Sequence, residues 1–529
     1  MAGMIRTNKK QSHLQRTEAA AQVNWQRTLT EGWGLVWLLT LAVLLVRVAY
    51  VQFYHPYGLA PDEAQYWSWL SHNDWSFLTK PPLTTWLIGV STFVFGHTLL
   101  GVKLFALLGQ AAVSVLGYAI ARKVAGRQAG WWAWILLTTA PLIAGGGLIM
   151  SPDAILLPLW LGAMLCVVRA FSVSDDKALC WGRWLIIGGL IGLAGLAKYS
   201  AAAFYPLLGI FLLVFKREWL LRPQIWVSGL VALAFQLPVL IWNIQHDWVG
   251  LGHVLWQAGG ANDGRHGGLA TFAEYVGGQA LVLGPVVFGF VLWALTRCAQ
   301  RADLATRWLV WVAAAILAAF AVLSFTTKVQ ANWPALGSVV ALVVTAIWLA
   351  KAGQGRGRQW WVLWMVGFGI VLNSLLSVML MDTYRARHIG MLPLKAKNDP
   401  TKDLRGWADM GGMLGLMLYK LDNPLVLSSR YQTLAPLMFH TLGNPEFAYM
   451  NAEDKRLNQY DLWPMPALQN RLVVYVSEKP VLPEKVRGLF MTCTPWHTLG
   501  VEEYGIEVRR LNMWICWGSR TLASRGVTY

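Results

Sequence analysis

Residues 82–95 read Pro-Leu-Thr-Thr-Trp-Leu-Ile-Gly-Val-Ser-Thr-Phe-Val-Phe, and whether this run crosses a bilayer decides the topology of everything after it. As a helix it rises about 21 Å, short of the roughly 30 Å of a hydrocarbon core. The placement of basic residues settles the matter. The N-terminal tail, 1–32, carries Arg6, Lys9, Lys10, Arg16 and Arg27, which marks it as cytoplasmic. The first span-length apolar run, Trp33–Phe53, starts too late for a cleavable signal peptide. Beyond it, the loop 54–81 holds Asp62, Glu63 and Asp74 against Lys80. If 82–95 crossed, Arg122, Lys123 and Arg127 would face outward, against the positive-inside rule. If it lies along the outer interface, they face inward. So do four later basic loops: Arg169/Lys177/Arg183, Lys216/Arg217/Arg222, Arg297/Arg301/Arg307 and Lys351/Arg356/Arg358. The reading is eleven spans plus an interfacial helix. The spans begin near Leu35, Leu99, Gly130, Asp153, Trp184, Ala201, Gln224, Phe272, Trp308, Trp333 and Gln359.

Composition agrees. Hydrophobic residues make up 56% of the chain and charged ones 13%, against roughly 25% charged in soluble proteins, which excludes a soluble or disordered chain. The 31 tryptophans suit many membrane–water crossings. The net charge of +17 suggests nucleic acid at first sight. Once placed, it is mainly a topology signal, and no nucleic-acid partner is expected. The last span delivers 382–529 to the outer side, where turn signals (Asn423-Pro424, Gly443-Asn444-Pro445) and β-type runs such as 472–476 predict a small α/β domain. Cys493 and Cys516 fall there, in an oxidising compartment; they form a disulfide or remain two buried thiols. The five cysteines show no C-x-x-C spacing.

With this topology Asp62, Asp153, Lys80, Lys198, His246 and Lys328 share one face of the membrane. Asp62 and Glu63 follow Pro61, and Asp153 follows Pro152, so each acid also suits the first turn of a helix. Taken together, acids and isolated lysines gathered at one membrane face are costly to hold there unless they are used or paired. The Gly189/Gly192/Gly195 run is spaced for close helix packing, not for a phosphate loop. D-x-D, Walker, G-x-S-x-G and H-E-x-x-H patterns are absent from the sequence.

The ordered series Asp62-Glu63-Ala64-Gln65-Tyr66-Trp67, Lys80-Pro81-Pro82-Leu83, Ser151-Pro152-Asp153, the glycine-rich run ending Lys198-Tyr199, Trp242-Asn243 with His246, and Asn332-Trp333-Pro334 resembles the membrane glycosyltransferases of the protein-mannosyltransferase and aminoarabinose-transferase superfamily. That resemblance implies a GT-C fold: an all-α polytopic membrane domain over 33–381 followed by the outer α/β domain over 382–529. It further implies an inverting, polyprenyl-phosphate-dependent glycosyltransferase in a bacterial inner membrane. The enzyme would move one sugar from that donor to lipid A or another envelope glycan, working as a monomer among membrane lipids.

The resemblance also implies roles. Asp62 maps onto the catalytic carboxylate, with Asp153 beside it holding the acceptor site or the catalytic loop. Glu63 supports the loop. Lys80 and Lys198 map onto groups that bind the carrier phosphate, and Lys328 is a further candidate. Tyr66, Tyr199, His246 and Asn332 are supporting residues. Where relatives carry a Glu before Lys-Pro-Pro, a proposed metal ligand, this chain has Thr79. That puts a bound divalent metal in doubt and leaves His246 as the candidate ligand. The rival class is a transporter or flippase for a lipid-linked sugar. Such proteins tend to show internal repeats and midplane sites, whereas this chain shows no obvious repeat and its ionisable residues cluster at one interface.

Overall fold

A computed structural model describes residues 32–72, 74–258, 267–300, 303–352, 360–391 and 398–520. The basic tail up to Arg27, together with Arg301, Arg356 and Arg358, lies outside the described residues. The chain is a multi-pass membrane protein, mostly helical, with a small C-terminal sheet domain. Among the described residues six helices are long and apolar enough to cross a membrane, or eight if each of two bent pairs forms one span.

The deciding stretch forms a 13-residue helix, α1 (Leu83–Phe95), closed by Gly96 at φ +69°. One side of α1 buries Thr84, Thr85, Ile88 and Ser91; on the other, Val90, Phe93 and Val94 stand exposed, Phe93 at 92%. The following helix, α2 (Leu99–Thr139), is 41 residues long but loses helical geometry at Ala125 and Gly126. Gly126 takes φ +84°, a conformation that favours glycine. The two arms fold back on each other. Thr138 Oγ1 donates to Ser114 Oγ at 3.0 Å, and Tyr118 packs edge-on against Trp131. These arms are the runs expected from Leu99 and Gly130.

The run expected to span from Phe272 forms two helices, α3 (Leu269–Leu283) and α4 (Pro285–Ala299), bent by 103°. Pro285 lacks the N–H needed to continue the helix, and Gly284 sits at φ +86°. Buried Asn373 donates to the Leu283 carbonyl at 2.9 Å and occupies the space that a Cβ at Gly284 would need. Helix α5 (Ala335–Ala352) is apolar and buried nearly all round, at the centre of the bundle.

The C-terminal domain holds a five-stranded sheet: β1 (Leu425–Ser428), β2 (Glu446–Tyr449), β3 (Val473–Ser477), β4 (Phe490–Glu503) and β5 (Ile506–Ser519), ordered β2-β1-β3-β5-β4. β1 runs parallel to both neighbours; β5 is antiparallel to β3 and β4. Cys493 and Cys516 face each other across β4 and β5 and are bridged. The domain grips the loop after the first long helix. Gly58 N–H donates to Leu404 O at 2.9 Å, Leu78 N–H to Gln459 Oε1 at 2.7 Å, and Ser68 and Tyr460 hydroxyls lie 2.6 Å apart. A Cβ at Gly58 would run into His440 and Trp407, so glycine permits this approach. Buried Arg405 ties the junction, bonding Asp382 at 2.7 Å and pairing with Glu503 while lying over the rings of Tyr57 and Tyr384.

Candidate active site

The loop 54–81 is sandwiched between the membrane helices and the C-terminal domain. Its helix, α6 (Pro61–Ser68), starts with Pro at the first helical position and places Asp62 and Glu63 in the first turn. The two adjacent acids part company there. Glu63 is fully buried and accepts from Ala60 N–H at 2.9 Å, Met150 N–H at 2.5 Å and Lys103 Nζ at 2.6 and 2.9 Å. Lys103, 1% exposed, also donates to Leu148 O at 2.9 Å. This pair fastens α6 to α2 and to the segment leading into Asp153. It explains why Glu63 supports the loop: every lone pair it offers is already engaged.

Asp62 points the other way, into a cavity of about 290 Å³ lined also by Gln65, Tyr66, Thr79, Lys80, Arg430, Tyr431 and Arg456. Tyr431 O–H donates to Asp62 Oδ1 at 3.2 Å, a contact made across the junction by the soluble domain. Burial pushes the Lys80 ammonium below its ordinary value, and Lys198 pushes it further, while Asp62 and Asp153 act in the opposite direction. Burial, with Asp62 next, pushes the Tyr66 and Tyr431 hydroxyls upward, so both stay protonated donors.

Asp153 opens the helix α7 (Pro152–Ala170) and lies in a second cavity of about 240 Å³ next to Asn332. Lys198 Nζ donates to both its oxygens, at 2.8 and 3.0 Å, and Asn332 Nδ2 to one of them at 2.8 Å. Tyr199 turns into an apolar groove of about 610 Å³ between Trp181–Ala197 and Pro223–Ala234. Asp62 and Lys80 thus line one cavity, Asp153 and Asn332 the other with Lys198 bonded to Asp153, and the two groups are near enough that Lys198, Asp62 and Asp153 all act on the Lys80 charge.

Two candidates lie elsewhere. Lys328 pairs with Glu274 at 3.2 Å on the exposed rim and lines neither cavity. His246 stacks on Trp242 at 4.2 Å, its Nδ1 against the Trp242 carbonyl at 2.9 Å. Behind the cavity lining lies His253, 5% exposed and in contact with Arg456. Burial and then the Arg456 charge push it down to about 4. Sequence reading missed His253, Arg456, Tyr431 and Lys103. Only Lys103 carried a local signal, an ionisable residue inside a long apolar helix.

The donor set does not fit a divalent metal. Thr79 stands where a carboxylate would be needed, His246 is turned to Trp242, and His253 meets a guanidinium. Among the described residues no three His, Cys, Asp or Glu side chains come together to hold an ion.

Residues 79–242 match the dolichyl-phosphate-mannose-protein mannosyltransferase family. The lipid A galacturonosyltransferase RgtD of Rhizobium johnstonii is 30% identical over 328 residues, 61% of this chain and 67% of that protein. The chain belongs to the GT-C family of membrane glycosyltransferases. The fold of this GT-C member is similar to that of ArnT from Cupriavidus metallidurans, solved bound to undecaprenyl phosphate: TM-score 0.61, 16% identity, 92% of this chain and 98% of that one. It is also similar to the oligosaccharyltransferase of Archaeoglobus fulgidus, at TM-score 0.50 and 13% identity over 83% and 69% of the two chains. Family membership sets the transporter reading aside.

Proposed function

We propose that this GT-C enzyme transfers a hexuronosyl group of the galacturonate type from a polyprenyl phosphate to lipid A or a similar glycolipid. The reaction takes place on the periplasmic face of a bacterial inner membrane. The observation that carries the reading is the placing of Asp62 and Lys80 in a cavity between the bundle and the C-terminal domain, with the Asp153–Lys198 pair close by in a cavity of the bundle itself. The relative named for lipid A galacturonosyl transfer supports the substrate class. In this reading 33–381 is the catalytic membrane domain with eleven spans, and 382–529 is a periplasmic domain that closes the site.

The chemistry follows from the groups present. An acceptor oxygen attacks the anomeric carbon, the bond from that carbon to the phosphate oxygen breaks, and configuration inverts. Polyprenyl phosphate leaves with the bonding pair. The ammonium groups of Lys80 and Lys198 face the charge that develops on the phosphate and stabilise it where water is excluded. The phosphodiester anion arriving beside Lys80 favours the charged form that burial disfavours, and the dianion that it becomes on leaving favours it more. Asp62 takes the proton of a hydroxyl acceptor; with a phosphate acceptor it orients the nucleophile instead. Asp153 holds Lys198 and Asn332 in place, and the apolar groove beside Tyr199 takes the isoprenoid chain. Mass spectrometry of lipid A and polysaccharide from a deletion strain tests the assignment. The expected result is loss of a uronic acid at one position of lipid A; an unchanged lipid A would refute it.

A further inference from the structure

The parallel strands β1 and β2 both end at the cavity that holds Asp62. Residues 429–432 and Tyr449, which line it, follow or form their carboxyl ends. Beyond the carboxyl ends of parallel strands is where α/β sheets place ligands, so the soluble domain presents a binding edge to the membrane domain. The turn after β1 leads directly into α8 (Tyr431–His440), and the N-cap of α8 is Arg430, whose side chain makes no capping bond. Thr433 N–H already donates to Arg430 O at 3.1 Å, which leaves the first two amides of α8, those of Tyr431 and Gln432, without an intrahelical partner beside the cavity.

Two further groups are incomplete at the same place. Gln65, 4% exposed, lines the cavity, yet its Nε2 has no hydrogen-bond partner. Arg430 Nε is likewise buried without one. Buried donors left unmade are costly, so these two suit an acceptor that arrives with the substrate. A guanidinium, a helix N-terminus and an amide lining one cavity form a site for an anion.

Which anion follows from position. The neighbour of Arg430, Tyr431, donates to Asp62, so an anion held at Arg430 lies close to the proposed base, while Lys80 and Lys198 are assigned above to the carrier phosphate. A carboxylate on the transferred sugar would be repelled by Asp62 unless matched by nearby positive charge. Building on the galacturonate reading above, we propose that Arg430, Gln65 and the N-terminus of α8 form a second anion subsite that holds the carboxylate of the hexuronosyl group. The soluble domain is then the part of the enzyme that selects the sugar.

The test uses the full-length protein in lipid nanodiscs. Polyprenyl-phosphate-linked galacturonate and its C6-alcohol counterpart, polyprenyl-phosphate-linked galactose, serve as donors, each with phosphorylated and dephosphorylated lipid A as acceptor. Wild type should prefer the uronosyl donor in kcat/KM by on the order of ten- to hundred-fold, the weight of a charge-assisted bond. Arg430→Gln should bring that ratio close to one, mainly through KM, with Arg430→Lys intermediate. Gln65→Met, which keeps the volume, should lower the ratio in the same sense even where Arg430→Gln folds poorly. Equal losses with both donors would overturn the subsite. So would a loss that tracks the acceptor's phosphate, since the anion would then be that phosphate. A wild type that uses only the galactosyl donor would instead sink the galacturonate reading itself, whatever the variants do.

Discussion

Replacing Lys103 by Met tests the fastening behind Asp62. The substitution keeps the length of the side chain and removes its charge, leaving the Glu63 carboxylate buried with only the Ala60 and Met150 amides as donors. Breaking a buried ion pair from one side costs about 3–5 kcal/mol, because the remaining charge is uncompensated. The double variant Lys103→Met/Glu63→Gln removes that charge and should recover most of the loss, giving a coupling of about 3 kcal/mol or more in a double-mutant cycle. Thermal unfolding in a fixed detergent reads the stability. The single variant should melt several degrees early, on the order of 5 °C, and the double should lie close to wild type. Sugar transfer reads the positioning. Glu63 precedes no reacting atom, but α6 carries Asp62 one residue earlier, and a displacement of about 1 Å there costs on the order of a hundred-fold in rate. Additive single effects, or a Lys103→Met protein that melts and works like wild type, would refute the role of the pair.

Lys198→Met removes the proposed phosphate ligand and leaves Asp153 with Asn332 alone, and is expected to weaken undecaprenyl-phosphate binding by on the order of ten-fold or more, read by calorimetry in nanodiscs. Lys328→Met, on the rim with Glu274, should bind within about two-fold of wild type. Burial pushes the Asp461 carboxyl up to about 6, with the Asn458 amide opposing. A carboxyl raised in the folded state destabilises as it ionises, so the melting advantage of Asp461→Asn should open as pH rises from about 4 to about 7; a constant gap across that range would contradict it. Removing the Cys493–Cys516 bridge, 23 residues apart in sequence, by double Ser substitution should cost the C-terminal domain about 3 kcal/mol, read as earlier proteolysis of 382–529.

The membrane part of the fold was largely legible because its signals are local. A run of apolar residues, or a basic loop, means the same thing whatever lies elsewhere in the chain. The break at Gly284-Pro285 was also written locally, but hydropathy alone runs straight through it. The proposed site was legible to the extent that Asp62, Lys80, Asp153 and Lys198 each sit near an end of an apolar run. What surrounds them was not. Tyr431 reaches Asp62 across 369 positions, and Lys103 reaches Glu63 across 40. Such contacts are set by tertiary packing and leave no spacing to read. The choice between His246 and His253 shows the same limit: both follow Trp242, and only the fold decides that one stacks on it while the other meets Arg456.

The central claim is that Asp62 does the chemistry while its neighbours hold the carrier. Asp62→Asn keeps the shape and an acceptor for Tyr431, and removes the charge. Single-turnover transfer by the purified variant in nanodiscs, with undecaprenyl-phosphate affinity measured on the same sample, separates the two functions. The account predicts a transfer rate lower by on the order of a hundred- to ten-thousand-fold, with carrier affinity preserved. Transfer within about two-fold of wild type would contradict it, as would a loss of transfer explained wholly by a loss of carrier binding.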